Sequence, residues 1–246
     1  MNKNAHYRKQ LTYFEKEFSG IPQYKLAAWQ KSYIQRIKEY LLDNDFKNKT
    51  LLDIGAGSGY VAVELAKYGV NVIACDMSGQ AIENLKKYKS QFSLKNLKFL
   101  VCKAEDIPLA DNSVDYIVAN ALLEHIPNEK KAIYKWKRVL RREGKMLITV
   151  PLSLKYVWPF LWLINIPYDK RLGHLRRYDL KSLKEKFRLK ALKVFYTGHL
   201  VKVLGVIFSE FIGTHRLDEF LEKQDEKKQD IRYGANNISV IFQNDK

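Results

Sequence analysis

The chain has 246 residues, enough for one large domain, and its 46% hydrophobic content lies well above the disordered range. A formal net charge of +16 implies either an anionic neighbour (nucleic acid, an acidic lipid surface, a charged substrate) or a Lys-rich surface that only maintains solubility. Two cysteines, Cys75 and Cys102, fall short of a disulfide framework or a metal site, no metal is assigned, and both read as small buried hydrophobes in strand-like segments. The N-terminal MNKNAHYRKQLTYF lacks the apolar core of a signal peptide, and no apolar run approaches the roughly 18 residues of a membrane span. The expectation is a cytoplasmic protein, with peripheral membrane contact left open.

Taken in chain order, residues 26–42 place Trp29, Tyr33, Ile37 and Tyr40 or Leu41 at helical spacing, so residues 1–47 are expected to form a helical cap. A regular alternation follows. Residues 50–54 (TLLDI) read as a strand, 60–68 as a helix, 71–76 (NVIACD) as a strand and 79–91 as a helix. Strands are expected at 97–102 and 114–119, then a helix from Asn128 with Ile133, Trp136 and Leu140 on one face and Gly144 as its stop, then the strand KMLITVP. Strands apolar at nearly every position, alternating with helices, predict a doubly wound, mostly parallel sheet covered on both faces, and residues 48–151 as its ligand-binding core. Beyond Pro151 the passage PLSLKYVWPFLWLINIPY is too irregular to assign. Residues 179–187 read as a helix capped by Asp179, 192–198 as a strand, 199–213 as an apolar helix, 217–232 as a solvated helix or loop, and 236–243 as the last strand. Residues 152–246 are therefore expected to complete the same domain on the substrate side.

Glycine is costly in regular structure, yet Gly55, Gly57 and Gly59 cluster directly after the first strand. A glycine-rich strand-to-helix turn lets backbone approach a ligand closely, and such sheets bind ligands beyond the carboxyl ends of their strands. Asp76 ends the next strand about 20 residues downstream, where a carboxylate is placed to accept both hydroxyls of a ribose. The spacing is G-x-G-x-G instead of the dinucleotide G-x-G-x-x-G, and Asp53 precedes it. A carboxylate there would repel a pyrophosphate and suit a cationic ligand.

With Asp53, GAGSG, Asp76, AEDIP and LLEHI in this order, the sequence resembles the class I, Rossmann-like S-adenosylmethionine-dependent methyltransferases over about residues 48–151. The resemblance implies a seven-stranded sheet and S-adenosyl-L-methionine as cofactor. It implies that Gly55, Ala56, Gly57 and Gly59 pack on the methionine moiety, that Asp53 holds its amino end, and that Asp76 and the adjacent Met77 border the ribose. It puts Ala104 and Glu105 beside the adenine, and Asn120 and Leu122 at the methyl group. Lys103 stands where the family often has an acid, leaving Glu105 or Asp106 to replace it.

Methyl transfer from a sulfonium depends chiefly on positioning, and proton removal is its one acid–base task. His125, on the loop after the fourth strand, is the candidate base, or else a structural cap. In GHLRRYD, His174, Arg176 and Tyr178 alternate, which on an extended segment offers one face to a substrate, or else Arg176 and Tyr178 anchor the loop. Trp158, Phe160, Leu161, Trp162 and Ile164 form an active-site lid, a membrane contact beside Lys170 and Arg171, or core. The expected partner is a small-molecule or lipid-linked acceptor, such as a quinone precursor, a glycan intermediate or a glycolipid. An RNA methyltransferase and a non-catalytic cofactor-binding regulator stand as alternatives. The sequence leaves the oligomeric state open.

Overall fold

The computed structural model describes residues 3–20, 23–205 and 217–245. Seven strands form one sheet: β1 (Thr50–Ile54), β2 (Asn71–Asp76), β3 (Leu97–Val101), β4 (Val114–Asn120), β5 (Leu140–Pro151), β6 (Lys190–Thr197) and β7 (Asn237–Gln243). Their order is β3-β2-β1-β4-β5-β7-β6. The first five are parallel, and β7 runs antiparallel to both its neighbours. The expected doubly wound, mostly parallel sheet is the observed one. Order reverses between β1 and β4, and the crevice there opens at the carboxyl ends of the strands.

Alternation along β1 builds both faces. Leu51 joins the core beneath α2 (Ala28–Arg36), α3 (Tyr60–Tyr68) and α4 (Gly79–Gln91), where Tyr33, Ile37, Leu41, Val63, Leu65 and Leu85 are buried. Leu52 and Ile54 point the other way, into the core with Trp136 of α5 (Glu129–Val139) and Phe187 of α7 (Leu180–Phe187). Apolar residues at every position are what a sheet buried on both sides requires.

Several expectations need correction. Helix α5 stops at Val139, and Leu140 already pairs with Val114. Residues 141–144 then bulge out before Lys145 meets Tyr116, so Gly144 lies inside β5 and ends no helix. A Cβ on Gly144 would fall 2.8 Å from the carbonyl oxygen of Arg141, so close backbone packing is what requires the glycine. The irregular stretch after Pro151 forms two short 3-10 turns and α6 (Trp162–Leu172), which ends at Gly173 in the left-handed region. Residues 218–226 form α8 (Asp218–Glu226), which buries Leu221, Glu222 and Asp225 against α2 instead of standing free in solvent. Most of the apolar segment 199–213, and His215, lie outside the described residues. His199 is buried, its Nδ1 2.7 Å from Oδ1 of Asp225. Cys75 and Cys102 are paired as a disulfide, with Cα atoms 6.2 Å apart. The parallel register of β2 and β3, Cys75 beside Leu100, brings the two strand ends together; the sequence alone does not show that register.

Candidate active site

After Ile54 the amides of Gly55 and Ala56 donate to the carbonyl of Cys75 at 2.8 and 3.1 Å, folding the chain back across the end of β2. Gly55, Gly57 and Gly59 have φ of 69°, 49° and 81°, a region where a Cβ is strained. The turn is fastened from the next strand: the Gly57 amide donates to Oδ2 of Asp76 at 2.9 Å, and the Ser78 amide donates to Oδ1 at 2.8 Å. Burial raises the Asp76 carboxyl above its ordinary value, and the backbone hydrogen bonds oppose that rise.

Above this turn lies a cavity of about 210 Å³. Asp53, Gly55, Ala56, Gly57, Asp76 and Met77 line it from β1, β2 and the turn; Ala104 and Glu105 line it from the loop after β3; Asn120, Leu122 and His125 line it from the loop after β4. Gly59 does not face it. A Cβ there would come 2.6 Å from Cδ2 of Leu85, so that glycine permits close packing of α3 on α4.

The remaining wall was not foreseen. Helix α1 (Lys3–Phe18) lies across the opening, with Tyr7, Gln10, Phe14 and Phe18 on the cavity. The Phe18 Cζ would stand 3.2 Å from a Cβ on Gly57. The Tyr7 hydroxyl donates to Oε2 of Glu105, and burial followed by this carboxylate raises the phenol far above its usual range. The i, i+7, i+11 spacing of Tyr7, Phe14 and Phe18 is the helical stripe that marks this face in the sequence.

Two features test the fit of S-adenosylmethionine. Oδ2 of Asp53 is buried with no hydrogen-bond partner among the described residues, and burial, with the nearby Asp76 carboxylate, lifts its pKa to about 7. An ammonium group would supply the missing partner. The turn is also too close to its neighbours for side chains: a Cβ on Gly55 would lie 2.9 Å from Cδ1 of Leu122. The residues fit an amino-acid tail carrying positive charge.

Behind His125 the walls are polar. The His125 and His174 rings meet edge to face, 4.7 Å between centroids. Nδ1 of His174 lies 2.8 Å from Oδ1 of Asp169, and Arg177 donates to both oxygens of that carboxylate. Glu124 is fully buried, which raises its pKa to about 8. Burial, with His174 alongside, lowers His125 to about 3, so it is neutral at pH 7 and a weak base. Arg176 donates to the carbonyl of Ile126 at 2.9 Å, and the Tyr178 hydroxyl donates to Oε2 of Glu129 at 2.8 Å. Neither Arg176 nor Tyr178 lines the cavity; both fasten their segment to the loop after β4. His174 stands one layer behind His125.

The sheet order, with the glycine turn at the switch point, is that of the Rossmann-like methyltransferase fold. Residues 52–148 match the family described as "Methyltransferase domain". It is 31% identical over 126 residues to the ubiquinone/menaquinone biosynthesis C-methyltransferase UbiE of Rickettsia typhi, covering 48% of each chain. It is 30% identical over 98 residues to the uncharacterized methyltransferase YcgJ of Bacillus subtilis, covering 40% of this chain and 39% of that one. The chain thus spans about half the length of the curated relatives it matches. Among solved structures it superposes on the geranyl diphosphate C-methyltransferase of Streptomyces coelicolor A3(2) with a TM-score of 0.70 at 13% identity, covering 97% of this chain and 98% of that one. The MccD protein gives 0.64 at 18% identity, covering 88% and 96%. At these identities the structures share the fold.

Proposed function

We propose that the protein transfers a methyl group to a small acceptor carrying an apolar or lipid tail. When bound, S-adenosylmethionine supplies an electrophilic methyl group; the chain's task is to hold both partners in line and keep water out. In this reading Asp76 takes the ribose hydroxyls, Asp53 the ammonium, Ala104 and Glu105 the adenine, and Asn120 and Leu122 border the methyl. His125 shapes the acceptor end, and its low basicity argues against a role as general base.

One observation carries the choice of acceptor. Residues 158–168 expose Trp158, Phe160, Trp162, Leu163, Ile164, Ile166 and Tyr168, with Leu163 81% exposed, whereas soluble surfaces scatter such side chains singly. Lys170 and Arg171 follow directly, as suits a surface meeting lipid headgroups. Tyr168 packs edge-on against His174, which packs edge-on against His125, so ring contacts link this surface to the cavity wall. No helix among the described residues is long and apolar enough to cross a membrane, so the contact is peripheral in this reading. The names of two similar proteins, one in quinone biosynthesis and one acting on geranyl diphosphate, point the same way.

Incubation of the protein with methyl-labelled cofactor and cell extract, followed by separation into lipid, RNA and soluble fractions, tests the assignment. Label in the lipid fraction is expected. Label confined to RNA overturns the choice of acceptor, and cofactor binding with no label in any fraction marks a regulator instead of an enzyme.

A further inference from the structure

We infer that Glu124, His125 and His174 form a binding site for a divalent first-row transition metal. One ligand atom from each lies within 4.8 Å of the others, and small side-chain rotations that close these separations to about 3.5 Å would let one cation reach all three at ordinary metal–ligand distances of about 2.0–2.2 Å.

The state of the three side chains supplies independent support. Glu124 is fully buried, and neither of its carboxylate oxygens has a hydrogen-bond partner among the described residues. His125 is 8% exposed and its Nδ1 is likewise unpartnered. Buried polar atoms are ordinarily satisfied, so unpartnered atoms on two residues of this cluster call for a ligand that accepts lone pairs. A carboxylate and two imidazoles offer such lone pairs.

The surroundings are those of a coordinating histidine. His174 gives its Nδ1 to Asp169, leaving Nε2 as its ligand atom, and Arg177 holds Asp169 in place through both oxygens. A carboxylate behind a ligating histidine fixes its tautomer and raises its basicity. His6 Nε2 donates to the carbonyl of His125 at 2.9 Å, which orients that residue from the side of α1. Two nitrogens and one carboxylate suit Zn²⁺, Co²⁺, Mn²⁺ or Fe²⁺ better than Mg²⁺ or Ca²⁺, which prefer oxygen.

Because His125 belongs to both the cluster and the cavity wall, the ion stands at the acceptor end of the cavity. Three protein ligands leave a position for an acceptor oxygen. Bound there, the ion would supply Lewis-acid chemistry towards an acceptor oxygen. This role rests on the methyl-transfer reading; occupancy of the site does not.

The test is metal content. Purified protein is stripped with chelator, loaded with Co²⁺ or Zn²⁺, desalted, and measured by elemental analysis and, for Co²⁺, by visible absorption. Binding of S-adenosylhomocysteine by calorimetry runs in parallel to verify the fold. One equivalent in the wild type, with at least tenfold weaker binding in Glu124→Gln and His174→Asn at unchanged S-adenosylhomocysteine affinity, is expected. No stoichiometric metal in the wild type, or equal loading of wild type and both variants, overturns the site. Either result leaves the cofactor reading standing, whereas failure to bind S-adenosylhomocysteine with metal retained overturns that reading alone.

Discussion

The Gly57 amide donates a 2.9 Å hydrogen bond to Oδ2 of Asp76. The carboxylate proposed to take the ribose hydroxyls thus also closes the glycine turn. Asp76→Ala is expected to raise the cofactor dissociation constant more than tenfold, since charge-assisted hydrogen bonds contribute about 1.5–3 kcal/mol each. Calorimetry with S-adenosylhomocysteine reads this directly, and an unchanged affinity would remove Asp76 from the site.

Phe18 closes the cavity from above the same turn, and its helix is tied down by the donation of Asn84 Nδ2 to the Phe18 carbonyl at 2.8 Å. Phe18→Ala leaves that tie and removes about half of a buried aromatic contact, roughly 1 kcal/mol. Cofactor affinity is expected to fall about fivefold, chiefly through faster release in stopped-flow measurements. Release at the wild-type rate would mean that α1 does not cover the bound cofactor.

Asp53 predicts a pH effect of definite sign. Its carboxyl is raised from 3.8 to about 7, so its contribution favours the folded state fully below the unfolded value and is lost as pH rises through about 7. Asp53→Asn removes that loss. The variant without cofactor is expected to gain more in Tm over wild type at pH 8 than at pH 5. An equal gain at both values would show that the carboxyl does not titrate in this range.

Glu222 holds two cations at the seam between α2 and α8: Nζ of Lys202 at 2.6 Å and Nη2 of Arg36 at 3.6 Å. All three side chains are largely buried. Glu222→Ala leaves both cations without this carboxylate in a poorly solvated place and is expected to destabilise the protein by about 3–5 kcal/mol. Denaturant unfolding measures it; a loss below about 1 kcal/mol would show that water reaches the seam in the variant.

The residue pattern carried the local structure. Leu51 to Ile54, apolar around one acid, read as a strand buried on both faces, and the three glycines after it as a turn of unusual backbone. From such segments the sheet and its glycine turn were legible, because periodicity and backbone conformation are local properties, whereas the cofactor was implied by the family resemblance. Tertiary structure decided what depends on distant residues meeting. It brought Tyr7 to Glu105 across 98 positions and turned α1 into a roof. It paired Cys75 with Cys102 through a strand register, and turned Arg176 and Tyr178 away from the cavity because Glu129 and the loop after β4 satisfy them. It also set Glu124 and His125 against His174, some fifty residues later, with lone pairs left over. A sequence states which donors and acceptors exist; only packing determines which of them are buried together without a partner.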